Sequence, residues 1–200
     1  MTTLSPREIR HRQTYNAILD AARHIIKEKG TDKLSMRAIA KAINYSPAGL
    51  YEYFGSKEEI IDGVCKEGHL TLKRYMERVD TSLPPADYMV EIGMAYIEFA
   101  RQNPDYFLLI FSGSAADMEM EQMIDEGSAF PLLLAGIQRG VDADLFRQTA
   151  EFDVMGLAYM AWSVVHGQAM LQLTFLKNGS LPFEHLSRQA LERTTRAMMS

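Results

Sequence analysis

The sequence predicts an all-α chain: an N-terminal three-helix helix-turn-helix head, then a C-terminal helical bundle body whose last two helices dimerise. Three observations lead there. Apolar residues recur at three- and four-residue spacing with strand alternation nearly absent, cap signals precede the periodic segments, and Pro/Gly clusters cut the chain into helix-length pieces. The head is placed at residues 1–55 and the body at 56–200.

The first element opens on "SPRE" at 5–8, a capping box with Ser5 at the N-cap, Pro6 at the first helical position and Glu8 reaching back. Tyr15, Ile18, Leu19, Ala22, Ile25 and Ile26 then share one face until Gly30 ends a helix of about six turns. Ser35 caps a second helix with Met36, Ile39, Ala40 and Ile43 inward. Ser46 before Pro47 starts a third, and "SKEE" at 56–59 is a second capping box opening a fourth. Only Asn44 and Tyr45 separate Ile43 from the Ser46 cap, the connection a helix-turn-helix needs. Asn tolerates a left-handed backbone, so Asn44 can make the turn and Tyr45 is expected to tuck its ring between the two helices.

Beyond residue 80 the punctuation is "TSLPPA" at 81–86, "NP" at 103–104, "SGSAA" at 112–116, "RGVDAD" at 139–144 and "NGSLP" at 178–182. Helical segments are expected near 86–102, 104–111, 117–138, 146–176 and 183–198.

Two hundred residues at 47% hydrophobic and 24% charged can bury a sizeable core. The single cysteine, Cys65, excludes an internal disulfide framework and a cysteine-only metal site. Thirteen methionines and no secretory leader lead to the expectation of a reducing cytoplasm. The net charge of −5 is unevenly spread: residues 1–60 hold ten Lys/Arg against seven Asp/Glu, residues 61–200 eleven against nineteen. Steering by phosphate depends on the local surface, so a DNA-binding head on an acidic body is permitted. Val154 to Leu176 runs 23 residues without a charge, long enough to span a bilayer. Ser163, His166, Gln168, Gln172 and Thr174 crowd its second half, so a helix buried within protein is expected instead of a membrane span.

The third helix reads as a surface element. Leu50 and Phe54 face inward, leaving Pro47, Ala48, Gly49, Tyr51 and Tyr53 toward solvent or a partner. Small residues at the N-terminal end allow close approach in a major groove, and Tyr hydroxyls can donate to phosphate oxygens. Glycine costs about 1 kcal/mol in a helix interior, so Gly49 implies a compensating gain. The alternative is that Ala48 and Gly49 sit where the first helix packs closely and the tyrosines are ordinary surface.

"LSMRAIAKAINYSPAGLYEYFGSKEEII", residues 34–61, resembles the TetR (tetracycline-repressor-like) family of bacterial transcriptional regulators: a Ser-capped helix, an Ile-Ala pair, a short turn, a recognition helix ending Leu-Tyr-x-x-Phe, and a Lys-Glu pair opening the next helix. The turn departs from the family's usual "AGVS": here it is "INYS", with Asn44 standing in for glycine. The resemblance implies that Ser35 and Arg37 reach phosphate or an adjacent base, with the Ser46 cap nearby. It places Pro47, Ala48 and Gly49 at the bases of a double-stranded DNA operator, Tyr51 and Tyr53 at the backbone, and Lys57 at a phosphate. With no Gln, Asn or Arg at 47–49, thymine-methyl contact and DNA shape are expected to carry more of the specificity than usual.

In the body, Phe152, Met155, Tyr159, Trp162, His166, Met170 and Leu173 form a near-heptad stripe suited to packing on another helix, and Val154, Ala158, Ala161 and Val165 form a second face. With Leu186, Ala190, Thr194 and Ala197 of the last helix they predict a four-helix homodimer interface, the role the last two helices play in the TetR family. "WSVVHG" at 162–167 and "AYIEFARQNPDYFLLIF" at 95–111 resemble the Trp-His-Gly branch of these regulators. Dense aromatics and methionines between 88 and 134 suit a pocket for a small apolar effector, with Phe99, Tyr106, Phe107, Phe111, Met123, Trp162 and His166 as candidate lining. His166 can equally be a satisfied structural histidine.

Reactive groups do not converge: there is no Gly-x-Ser-x-Gly, phosphate-cradling loop or His-Glu-x-x-His, and "KEGH" at 66–69 puts Glu67 and His69 two apart and off-face. The acidic "DMEMEQMIDE" at 117–126 reads as a solvated face. No catalytic residue, cofactor or metal is expected. The reading is a ligand-responsive repressor released from a pseudo-palindromic operator; the rival is a helical small-molecule-binding or protein-partner module that does not read DNA specifically.

Overall fold

Local caps set the N-terminal elements. The computed structural model describes residues 4–111, 127–176 and 181–199. Helix α1 (Pro6–Lys29) starts on Ser5, whose hydroxyl accepts from the Glu8 N–H at 3.3 Å while the Glu8 carboxylate accepts from the Ser5 N–H at 2.7 Å. Gly30, at φ +80°, ends it, a conformation that a Cβ would oppose. After a 3₁₀ turn at Thr31–Lys33, the Ser35 hydroxyl accepts from the Ala38 N–H at 3.2 Å and opens α2 (Met36–Ala42). Asn44 makes the turn at φ +53°, and α3 (Pro47–Leu50) follows with Ser46 accepting from the Gly49 N–H at 2.9 Å. Ser56 caps α4 (Lys57–Met76) by accepting from the Glu59 N–H at 3.1 Å. The Glu59 carboxylate takes the Gly55 N–H at 2.8 Å, so the return half of the "SKEE" box falls one residue before the cap.

Leu50 and Phe54 turn inward and join Ile18, Leu19, Ala22, Ile39, Ile60 and Val64 in one buried cluster shared by α1 to α4. Each of the larger of these side chains contributes roughly 1.5–3 kcal/mol by leaving water. That filling also excludes Tyr45. Its ring does not tuck between α2 and α3, where Ile39, Ala40 and Leu50 already close the space, but is 40% exposed against the first turn of α3.

The second cluster is built around α5 (Pro85–Gln102), which packs on α4, α6 (Pro104–Phe111), α7 (Phe130–Asp142), α8 (Val154–Leu173) and α9 (Phe183–Ala197). Asn103 breaks α5 from α6, donating its backbone N–H to Phe99 O, and Pro104 restarts the helix. The start of the segment expected at 117–138 lies outside the described residues; its described part runs four residues longer, to Asp142. The segment expected at 146–176 is corrected: α8 begins at Val154. Leu145 and Phe146 both donate backbone N–H groups to Gly140 O, and Arg147 donates to Met198 O, so this stretch wraps the end of α7. Asp153 then caps α8, its carboxylate accepting from the N–H groups of Met155 and Gly156.

The expected α8 stripe does not form one seam, because spacing of 3-4-3-4-4-3 drifts around a straight helix. Leu157, Ala158, Ala161, Val165 and Ala169 face the core, Trp162 turns to an internal cavity, His166 stacks on Phe107 behind it, and Tyr159 is 67% exposed. On α9 the packing face is Ser187, Leu191 and Thr195, with Met198 following; Leu186 and Ala197 stay exposed. Among the described residues no helix is long and apolar enough to cross a membrane.

Candidate nucleic-acid interface and effector cavity

On the head, Ser35, Arg37, Ser46, Pro47, Ala48 and Tyr51 are exposed, while Gly49, Tyr53 and Lys57 are half-buried. Ser35 and Ser46 use their oxygens as cap acceptors, which leaves each O–H free to donate outward. Arg37 has no carboxylate partner among the described residues, and Lys57 lies 3.9 Å from Glu58 at the start of α4.

Gly49 has an intramolecular reason to be glycine. A Cβ there would lie 2.6 Å from Cε1 of Tyr45 and 3.0 Å from the Ser46 hydroxyl oxygen. The ring of Tyr45 therefore occupies the space that sequence reasoning left open for a DNA groove. Tyr45 meets Tyr53 edge-on at 6.3 Å between centroids, and Tyr53 stacks on His11 of α1 at 4.6 Å. Such pairs contribute about 0.5–1.5 kcal/mol beyond area burial. Of Tyr45, Tyr51 and Tyr53, which flank α3, Tyr51 projects farthest into solvent, at 57% exposure.

Head and body meet at α6. The guanidinium of Arg23 on α1 donates to Asp105 at 3.1 Å and lies 5.0 Å from the Tyr106 ring centroid, while Lys27 approaches the other Asp105 oxygen at 3.9 Å. Tyr106 donates to Glu67 on α4 at 3.1 Å; burial, then the Glu67 charge, pushes its phenol up to about 12. Tyr106 thus faces the junction of α1 and α4.

Farther along α6, Ile110 and Phe111 help enclose a cavity of about 350 Å³ with Leu72 and Met76 of α4, Met89, Ile92 and Tyr96 of α5, Phe130 and Leu133 of α7, Trp162 and Val165 of α8, and Leu191 and Thr195 of α9. No Lys, Arg, Asp or Glu lines it among the described residues. The Tyr96 hydroxyl lies 2.8 Å from His166 Nδ1, a hydrogen bond whose donor is set by the imidazole tautomer. Burial drives the Tyr96 phenol above its ordinary range and holds the His69 and His166 imidazoles below theirs, so the wall is neutral.

Of the residues expected to line a pocket, Phe111 and Trp162 do. Phe99 and Phe107 are fully buried behind Tyr96, because they fill the α5–α6 junction, and His166 stacks on Phe107 at 5.5 Å one layer back. Met123 lies outside the described residues. Sequence reasoning missed Tyr96, Met89, Leu191 and Thr195; the available signal was the inward face of α5, where Met89, Ile92 and Tyr96 recur at helical spacing. Cys65 is half-buried, and burial followed by the Asp62 charge pushes its thiol up to about 11, too high for a reactive thiolate. No metal-ligating cluster occurs among the described residues.

A family model described as bacterial regulatory proteins, tetR family, matches residues 18–64, and one described as tetracyclin repressor-like, C-terminal domain, matches residues 89–198. The chain belongs to the TetR family. Its head is that family's helix-turn-helix domain, and TetR proteins are transcriptional regulators. The HTH-type transcriptional regulator UidR of Escherichia coli K12 is 39% identical over 79 residues, a match covering 39% of this chain and 40% of UidR. The chain thus spans about two-fifths of that curated relative's length. The fold is shared with a protein of unknown function from Rhodococcus sp. RHA1, at TM-score 0.77, 20% identity and coverage of 93% of this chain and 95% of that one. It is also shared with the fatty acid degradation regulator FadR from Bacillus halodurans, at TM-score 0.74, 15% identity and 97% of each chain.

Proposed function

We propose that this TetR-family regulator binds a pseudo-palindromic DNA operator as a homodimer in the cytoplasm and releases it when a small, neutral, apolar effector fills the cavity. One observation carries the reading: α6 lines an uncharged cavity at one end, through Ile110 and Phe111, and is tied to the head at the other, through Asp105 and Arg23. A ligand that favours one position of α6 shifts the spacing of the two heads by its differential affinity for the two states.

The cavity's chemistry sets the effector class. A carboxylate or ammonium buried there would meet no opposite charge among the described residues, at a cost of several kcal/mol. Tyr96 and His166 satisfy each other, while the buried His69 Nε2 has no partner among the described residues and, with Thr195, offers a polar handle for one hydroxyl or carbonyl. The outward surfaces of α8 and α9, with Tyr159 and Leu186 exposed, form the dimer face, and residues 1–55 work as the DNA-reading unit against 56–200. Within that unit Ser35, Arg37, Tyr51 and Lys57 bind phosphates, Pro47 and Ala48 approach the bases, and Tyr45, Gly49 and Tyr53 shape the surface between them.

The test compares a matched pair of chains, 1-decanol and decanoate, by thermal melting and by release of bound duplex. The alcohol should stabilise the protein and release DNA while decanoate does neither. Stabilisation by decanoate alone contradicts the assigned effector class.

A further inference from the structure

The tetR family model begins at residue 18, whereas α1 begins at Pro6, so roughly three turns of helix precede the matched head. Those turns meet the head's core through Tyr15, whose ring stacks on Phe54 at 4.8 Å, and the helix end beyond it frays unless something holds it. Two devices hold this one: the reciprocal Ser5–Glu8 box, and the stack of His11 on Tyr53.

The held segment is cationic. Arg7, Arg10 and Arg12 are exposed, and none pairs with a carboxylate among the described residues. Its one acid, Glu8, has its carboxylate engaged by the Ser5 N–H and hydroxyl, both at 2.7 Å, and the next acid along the chain is Asp20. Helical spacing sorts the arginines. Arg7, His11 and Ile18 lie on one row, with Arg10 beside it, so the face that packs Ile18 into the head continues as a cationic row next to Tyr53. Arg12 lies about 140° round the helix from Arg7.

We propose that Arg7 and Arg10 bind the phosphate backbone of duplex DNA outside the stretch held by α3, with His11 on Tyr53 fixing the angle of approach. This surface is continuous with the proposed DNA face through Tyr53, and the inference rests on the head binding DNA. The arginines add sequence-independent affinity and lengthen the protected duplex without reading bases.

The test uses the full chain and a long mixed-sequence duplex, with binding measured by fluorescence anisotropy across a salt series. Each phosphate contact contributes about 0.9 to the slope of log K against log salt, so R7A/R10A should flatten it by about two units per bound protomer. R7K/R10K, which keeps both charges, should restore the slope, and R12A should leave it unchanged. An unchanged slope in R7A/R10A, with the wild type binding normally, overturns the proposal, as does equal flattening by R12A. Failure of the wild type to bind the duplex at any salt overturns the DNA-binding reading and this one together, and is distinct from the other two results.

Discussion

Gly49→Ala is the substitution that separates packing from groove clearance. The added methyl would sit 2.6 Å from Tyr45 Cε1 and 3.1 Å from Cδ1, where carbon pairs ordinarily rest at about 3.5–4.0 Å. The ring must retreat by about 1 Å. Overpacking of this kind costs about 1–3 kcal/mol, and the partly exposed ring places it near the lower end. Alanine returns up to about 1 kcal/mol of helix propensity, so the single variant should change stability little. In a Tyr45→Ala background only the Ser46 hydroxyl oxygen, at 3.0 Å, still crowds the methyl, and Gly49→Ala should stabilise by up to about 1 kcal/mol. The coupling between the two sites should therefore be about 1–2 kcal/mol in a urea-denaturation double-mutant cycle. A coupling within about 0.5 kcal/mol of zero refutes the packing explanation. Duplex binding supplies the second readout: clearance for DNA predicts that Gly49→Ala weakens binding in both backgrounds, packing that it does so only beside Tyr45.

Lys57→Ala should weaken binding to all duplex sequences and lower the salt slope by about one unit, as read by anisotropy. Tyr96→Phe leaves His166 Nδ1 without its partner and should cost about 1–3 kcal/mol in denaturant unfolding. Burial holds His69 below its ordinary value of 6.5, so the unfolded chain takes up more protons as pH falls. Its contribution to stability is full above that pH and drops below it, and His69→Gln should flatten the fall in melting temperature on that side. Asp105→Asn weakens the tie to Arg23 and should leave duplex affinity in place while reducing the effector's effect on it; undiminished release by 1-decanol contradicts the assigned role of α6.

Much of the head was legible because its signals are local. Ser5 with Glu8, Gly30, Ser35, Asn44, Ser46 and Ser56 each act within a few residues, and the structure uses each at the expected position. Tyr45 was misplaced because its position depends on whether Ile39, Ala40 and Leu50 already fill the space between two helices. The start of α8 was misjudged for a related reason: Phe146 is apolar and continues the helical pattern, yet it packs back on Gly140, where a Cβ would come within 2.0 Å of its ring. An almost uncharged helix such as α8 also gives no phase, so its core face could not be told from its cavity face. The Trp162–His166 pair was visible as a motif, but its partner Tyr96 stands 70 residues from His166, and only the packing of α5 on α8 joins them.

The central claim is that the head binds DNA specifically and that the cavity controls it. Its most direct measurement is a mobility shift of the full chain on the sequence upstream of its own coding region, across a salt series and with 1-decanol added. The account predicts a discrete complex of one dimer on two symmetry-related half-sites that persists at physiological salt and dissolves when the alcohol stabilises the protein. The absence of any specific complex at every salt concentration would contradict it.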